Sequence, residues 1–135
     1  MPSISGLTHV ALTVRDVSVS RPWYRALIGE DPIVDEDTGE FFNVVWAFSD
    51  GTVFGLHQHS RPAPDEQFDE LRVGLDHVSF GVENRTELEK WMNRLDELHI
   101  PHGGIKDAPY GSGLSFRDPD GIALEFFAPP SGAAM

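Results

Sequence analysis

Apolar and polar residues alternate through LTHVALTV (Leu7 to Val14), and the alternation returns in LDHVSFGV (Leu75 to Val82). Period-two runs rich in Val, Leu and Thr read as half-buried strands. Each is followed by a helical segment. In the second, Leu88, Trp91, Met92, Leu95 and Leu98 form one apolar face, and Thr86 with Glu89 has capping-box spacing. In the first, Ser18 or Ser20 is expected to cap the helix, Pro22 to fall in its first turn, and Ile28-Gly29 with Asp31-Pro32 to end it. Strands are then expected at Ile33 to Asp35, Phe41 to Phe48 and Thr52 to His59, divided by the Thr38-Gly39 and Ser49-Asp50-Gly51 turns. The second helix is expected to stop before Pro101, with HGGIK, GLSF and IALEFF as strands separated by glycines and the DPDG turn. The order βαβββ therefore occurs twice.

The two copies align residue by residue. From Leu7 to Leu75 the offset is 68, and it carries Trp23 onto Trp91, Leu27 onto Leu95, Phe48 onto Phe116 and Asp50 onto Asp118. The sequence then places an extra pair, Pro119-Asp120, in the second copy, so that Gly51 matches Gly121 at an offset of 70. Two modules are too few for a solenoid, which points to a pseudo-twofold pair within one domain, 1–135: module one 5–59, a linker 60–72, module two 73–129. The linker carries Pro62, Pro64 and several acids without periodicity, and the tail from Pro129 to Met135 reads as frayed. The expected fold class is α+β, with the two modules curving a mixed sheet around a cleft.

A formal charge of −12 argues against nucleic acid or an anionic membrane as partner. With no cysteine, any metal must be held by nitrogen and oxygen. The amino terminus lacks the basic and apolar regions of a signal peptide and no window approaches a membrane span, so the expectation is a cytoplasmic protein.

His9 and His77 occupy matching positions, each on a strand face otherwise lined by small residues, which leaves room for a ligand. Glu125 interrupts IALEFF, where an unpartnered buried carboxylate costs several kcal/mol. Singly, each has an ordinary explanation: a satisfied strand histidine, or a carboxylate facing water from an edge strand. Together the two imidazoles and one carboxylate make a facial set suited to a divalent metal with open positions. Zn, Ni, Co, Mn and Fe all suit it. Such a centre polarises a carbonyl or hydroxyl, or acidifies bound water.

The chain resembles the vicinal oxygen chelate superfamily, which includes glyoxalase I, extradiol dioxygenases, fosfomycin-resistance enzymes and bleomycin-resistance proteins. The resemblance runs from Leu7 to Pro129 and rests on LTHVALTV, LDHVSFGV and FRDPDGIALEFF. It implies that His9, His77 and Glu125 are the metal ligands, that the protein is a homodimer, that His9 works with His77 and Glu125 of the same or a partner chain, and that the substrate is a small molecule with neighbouring oxygens. Glyoxalase-like lyase or isomerase chemistry is the first expectation, with His57 or Tyr110 as acid/base groups.

Departures from the family pattern limit this. The fourth ligand of glyoxalase I-like members falls at Gly55, with His57 and His59 on the same strand face and able to reach that place after a small register change. The tyrosine of extradiol dioxygenases falls at Ser115, leaving Tyr110 in a nearby glycine-rich loop, so ring cleavage ranks second. Fosfomycin-type activity needs cations for a phosphonate, and Arg117 and Lys106 are the only candidates in the second module's strands and loops, with Arg117 equally well explained as a surface partner of Asp118 or Asp120. Non-catalytic drug binding would use an apolar groove, for which Phe41, Phe42, Trp46, Phe48, Phe54 and Phe116 are candidates, although such aromatics are ordinarily core.

Overall fold

The computed structural model describes residues 1–61 and 65–130; residues 62–64 of the expected linker and 131–135 of the expected frayed tail lie outside the described residues. The chain divides into two compact units, Met1–Asp65 and Glu66–Met135. No helix among the described residues is long and apolar enough to cross a membrane.

The first unit contains β1 (His9–Thr13), α1 (Val17–Ile28), β2 (Val34–Asp37), β3 (Phe41–Ala47) and β4 (Val53–His59). Its sheet runs β1-β4-β3-β2, with β1 parallel to β4 and the other pairs antiparallel. α1 lies on one face, where Leu12, Tyr24, Leu27, Val44, Trp46, Phe54 and Leu56 are buried. Each such side chain contributes about 1.5–3 kcal/mol on leaving water. Tyr24 and Phe54 rings meet at 5.3 Å, and Trp46 Nε1 donates to the Glu30 carbonyl at 3.0 Å, satisfying the one polar atom of that indole.

The second unit repeats the plan with β5 (Val78–Gly81), α2 (Arg85–Glu97), β6 (His102–Ala108), β7 (Gly111–Arg117) and β8 (Ala123–Ala128), its sheet ordered β5-β8-β7-β6. Leu88, Leu95, Leu114, Phe116, Leu124 and Phe126 are buried between α2 and the sheet, and Trp91 stacks on Phe126 at 4.3 Å. The fold is thus α+β, with two four-stranded mixed sheets and one helix on each.

Several local expectations change. The cap of α1 is Asp16, whose carboxylate accepts from Ser18 N at 2.9 Å and Ser18 Oγ at 2.7 Å, so Ser18 serves the cap as a donor instead of forming it. Pro22 then stands in the second turn, where it removes one helical hydrogen bond. The cap of α2 is Asn84, accepting from Glu87 N at 2.9 Å, which leaves Thr86 and Glu89 inside the helix and no capping box between them. α2 closes with His99 N bonded to Asp96 O at 3.1 Å and Ile100 N to Leu95 O at 2.9 Å around His99 at φ 58°, a left-handed position that Gly29 fills after α1 at φ 86°.

The extra residue pair is also relocated. Phe48 N bonds to Thr52 O at 2.8 Å, and Asp118 N bonds to Ile122 O at 3.1 Å, so the two turns are equally long and Phe48 matches Asp118. Gly55 lies opposite Val45, as Glu125 lies opposite Ser115. The offset of 70 therefore holds through the last two strands of each unit, and the insertion falls upstream, between the matched helices and those strands.

Candidate functional site

The strand pleat leaves one face of each sheet without a helix, and the candidate residues project from those faces. In the second unit the open face is organised in rows across β5, β8 and β7: Ser79, Glu125 and Ser115 form one row, and Ala123 and Arg117 belong to the next, where His77 directly precedes β5.

His77 Nδ1 lies 2.7 Å from Asp76 Oδ1, which fixes the ring and leaves Nε2 facing Glu125, with 3.9 Å between Nε2 and Oε1. Ser79 Oγ donates to that same Oε1 at 2.8 Å. Opposite, Gly113 supplies no side chain, and a Cβ there would stand only 2.8 Å from Glu125 Oε2. The carboxylate is about one-fifth exposed, held between a hydroxyl and a glycine. His77, Glu125 and Asp76 line an open pocket of about 710 Å³ together with His102, Arg117 and Glu70. His102 is satisfied structurally: Nε2 lies 2.7 Å from Asp96 Oδ1, and Nδ1 accepts from Gly104 N at 3.0 Å.

This pair fits a divalent metal. Ligands bonded at about 2.1 Å stand roughly 3.0–3.4 Å apart at right-angled to tetrahedral geometry, so His77 and Glu125, 3.9 Å apart, need to close by about 0.5–0.9 Å. Asp76 on the remote nitrogen is the outer partner that metal-binding imidazoles use. Among the described residues, no group of three His, Asp or Glu side chains stands together as a ligand cluster.

His9 stands in the first unit as the opening residue of β1. Its Nδ1 lies 2.9 Å from Thr8 Oγ1, and Thr8 matches Asp76, so the preceding side chain anchors the imidazole in both copies. His57 and His59 share the open face with Gly55 and His9, but neither takes the place of Gly55. The ladder is regular, with Gly55 opposite Ala11 and Val45; His57 stacks on Phe41 at 4.2 Å, and His59 Nε2 lies 3.4 Å from Thr13 Oγ1. Burial, then the neighbouring His59, lowers the pKa of His57 below the ordinary imidazole value, favouring a neutral proton acceptor. Tyr110 sits exposed at the β6–β7 turn, its ring stacked on Phe127 at 6.2 Å.

Arg117 does not stand free for a phosphonate in this structure. Its Nη2 and Nη1 donate to Glu70 Oε1 and Oε2 at 2.6 and 3.0 Å, and this guanidinium pulls the Glu70 carboxyl down to about 2. Of the candidate aromatics, Trp46, Phe54 and Phe116 are buried in the cores. The roles of Asp76, Ser79 and Glu70 were not anticipated; the Asp-His dipeptide was the one visible signal.

The chain is similar to known proteins along most of its length. The sequence matches the family model of the Glyoxalase/Bleomycin resistance protein/Dioxygenase superfamily over residues 6–126. A curated relative, "Metallothiol transferase FosB" from Staphylococcus haemolyticus, is 26% identical over 124 residues, covering 90% of this chain and 82% of that protein. Among solved structures, a glyoxylase/bleomycin resistance protein/dioxygenase domain from Frankia sp. EAN1pec superposes with a TM-score of 0.85 at 35% identity, covering 96% of each chain. The fosfomycin resistance protein FosX from Listeria monocytogenes shares the fold at a TM-score of 0.72 and 17% identity, covering 96% of this chain and 94% of that one.

Proposed function

The chain belongs to the Glyoxalase/Bleomycin resistance protein/Dioxygenase superfamily, and from that membership we propose that it is a metal-dependent enzyme acting on a small molecule with two neighbouring oxygens. The observation that carries the reading is the His77–Glu125 pair, 3.9 Å apart, with each member fixed from behind by Asp76 or Ser79. His9, of the same chain or of a second copy, is the proposed third ligand. A divalent ion on this set supplies positive charge that polarises a chelating substrate and acidifies its protons.

The remaining chemistry belongs to the side chains. Ser79 donates to Glu125 and holds its carboxylate oriented, and the outer carboxylate of Asp76 keeps the His77 proton on Nδ1. His57, neutral at neutral pH, is the proposed proton acceptor, with Tyr110 the proposed donor from its hairpin. Moving a proton between carbons beside oxygen, as a glyoxalase-type lyase or isomerase does, is the chemistry this set suits. A second reading, transfer of a thiol to an electrophile, draws support from the relatives named metallothiol transferase.

Elemental mass spectrometry on wild type, His77→Ala and Glu125→Gln tests the core of the proposal. Near-stoichiometric metal in wild type, lost in both variants, is expected. Equal metal in all three, or none in any after reconstitution with zinc, nickel or manganese, refutes it. Metal-loaded protein assayed for isomerisation of a thiol–oxoaldehyde adduct, and for thiol addition to an epoxide, then separates the two reactions.

A further inference from the structure

We propose that Arg117 anchors a carboxylate of the substrate and that Glu70 occupies its place in the free protein, so that the substrate is a small acid with vicinal oxygens. This deepens the metal-enzyme reading and rests on it for the position of those oxygens.

Arg117 shares one pocket with His77 and Glu125. The register places it opposite Ala123, with β8 lying between β7 and β5, so Ala123 is a small floor separating Arg117 from His77. Two strand spacings give about 10 Å between their backbones. A long guanidinium side chain spans part of that gap, leaving a span of a few bonds for a molecule that chelates at His77 and Glu125.

The guanidinium is preorganised. Arg117 Nη1 also donates to the Gly121 carbonyl at 2.9 Å, a contact to the backbone that does not depend on Glu70 for its partner. Glu70 meets the fork with both oxygens, which is how a planar carboxylate binds arginine. The pair is not a buried strut, since the side chains are 50% and 34% exposed. An exchangeable internal carboxylate lowers the apparent affinity for an external one by the fraction of time it occupies the site. A pair this exposed is worth little, so removing Glu70 should tighten external binding by about two- to fivefold.

The other explanation is that the pair merely fastens residues 66–72 to the sheet. Glu66 and Arg72, paired at 2.7 Å in the same segment, provide the control. Metal-free protein is titrated with acetate and with inorganic phosphate, following the backbone amides of the 117–122 turn by NMR. Glu70→Gln is expected to bind acetate about two- to fivefold more tightly than wild type. Glu66→Gln should match wild type, and the Glu70→Gln/Arg117→Gln double variant should lose the gain. Unimproved acetate binding in Glu70→Gln, a gain equalled by Glu66→Gln or kept by the double variant, or a preference for phosphate, overturns the proposal.

A second titration uses zinc-loaded protein with lactate and with malate, which adds a carboxylate to the same hydroxy-acid chelate. Malate should be favoured over lactate in wild type and more so in Glu70→Gln, and the preference should vanish in Arg117→Gln. If zinc tightens neither acid while the acetate result holds, the metal reading fails and the Arg117 site stands. If zinc tightens both equally, the Arg117 assignment fails alone.

Discussion

Replacing Gly113 with alanine separates the proposed metal site from the fold that carries it. An added Cβ would lie 2.8 Å from Glu125 Oε2, 3.4 Å from Cδ and 3.8 Å from Cγ. Restoring an ordinary contact of about 3.4 Å moves the carboxylate oxygen by at least about 0.6 Å, whereas metal–ligand distances tolerate only about 0.2 Å. The displaced group is the far end of a flexible side chain, and Gly113 lies outside the left-handed region, so the backbone accepts alanine. Stability of the metal-free protein should hold or rise by about 0.4–1 kcal/mol, because alanine restricts the unfolded chain. Metal affinity should fall by roughly 10- to 100-fold, the usual effect of disturbing a ligand's support, or about 1.4–2.8 kcal/mol. Competition against a chelating dye reads the affinity, and calorimetric melting of the apoprotein reads the fold. Unchanged affinity would refute the placement of Glu125 as a ligand; an apoprotein weakened by more than about 1 kcal/mol would show that the strand, not the carboxylate, yields.

Gly111→Ala should behave oppositely, because φ is 143° and the new Cβ would collide with the Phe127 ring and the Ala128 carbonyl: a loss of about 2–4 kcal/mol in chemical denaturation is expected, and a loss below 1 kcal/mol contradicts the packing. Asn84→Ala should cost about 1 kcal/mol while Thr86→Ala costs a few tenths, and equal costs in urea melts would reinstate the capping box. His99→Gly should stabilise by about 0.5–1 kcal/mol, since φ 58° strains a side chain at the close of α2; a lower melting temperature would show that His99 contributes a compensating contact. Asp107 is drawn down to about 2 by the Arg85 guanidinium, then by the Ser112 hydroxyl, and its folded value therefore lies below the ordinary carboxyl value of 3.8. That pairing stabilises the fold above about pH 4, and the contribution is lost as pH falls toward 2, so Asp107→Asn should flatten the acid limb of a stability profile between those values.

How much was legible in the sequence follows from the range of each interaction. Period-two runs revealed the first strand of each copy because their pattern is local, yet the ladders begin only at His9 and Val78, and Leu7 remains 80% exposed. The alternation extended past the point where a partner strand is available. Both helix caps were misplaced for a related reason: Ser and Thr lay nearer the apolar face, while Asp16 and Asn84 had the extended backbone a cap needs. Glu125 was legible because a carboxylate inside an apolar strand is conspicuous. Its support was not, since Ser79 is 46 residues away and meets it only through the register. The Glu70–Arg117 pair, 47 residues apart, was hidden in the same way, and the cost was a reading of Arg117 as a partner of Asp118 or Asp120.

The two copies also separate what the fold requires from what chemistry requires. At the offset of 70, the helix-facing pairs Val44 and Leu114, Trp46 and Phe116, Phe54 and Leu124, and Leu56 and Phe126 are all buried and apolar, because burial penalises any other choice. The open faces escape that constraint and have diverged. Where the first unit has Ala11, Gly55 and Val45 in one row, the second has Ser79, Glu125 and Ser115; the next row holds Thr13, His57 and Asn43 in the first unit and Gly81, Phe127 and Gly113 in the second. The carboxylate thus occurs where its own sheet supplies a hydroxyl on either flank and an empty glycine beside it, and the imidazole of His57 occurs where Phe41 can cover it. A duplicated scaffold with a fixed buried face leaves each open face to acquire different polar groups, and the pocket of the second unit is where His77, Asp76 and Glu125 meet the Arg117–Glu70 ion pair.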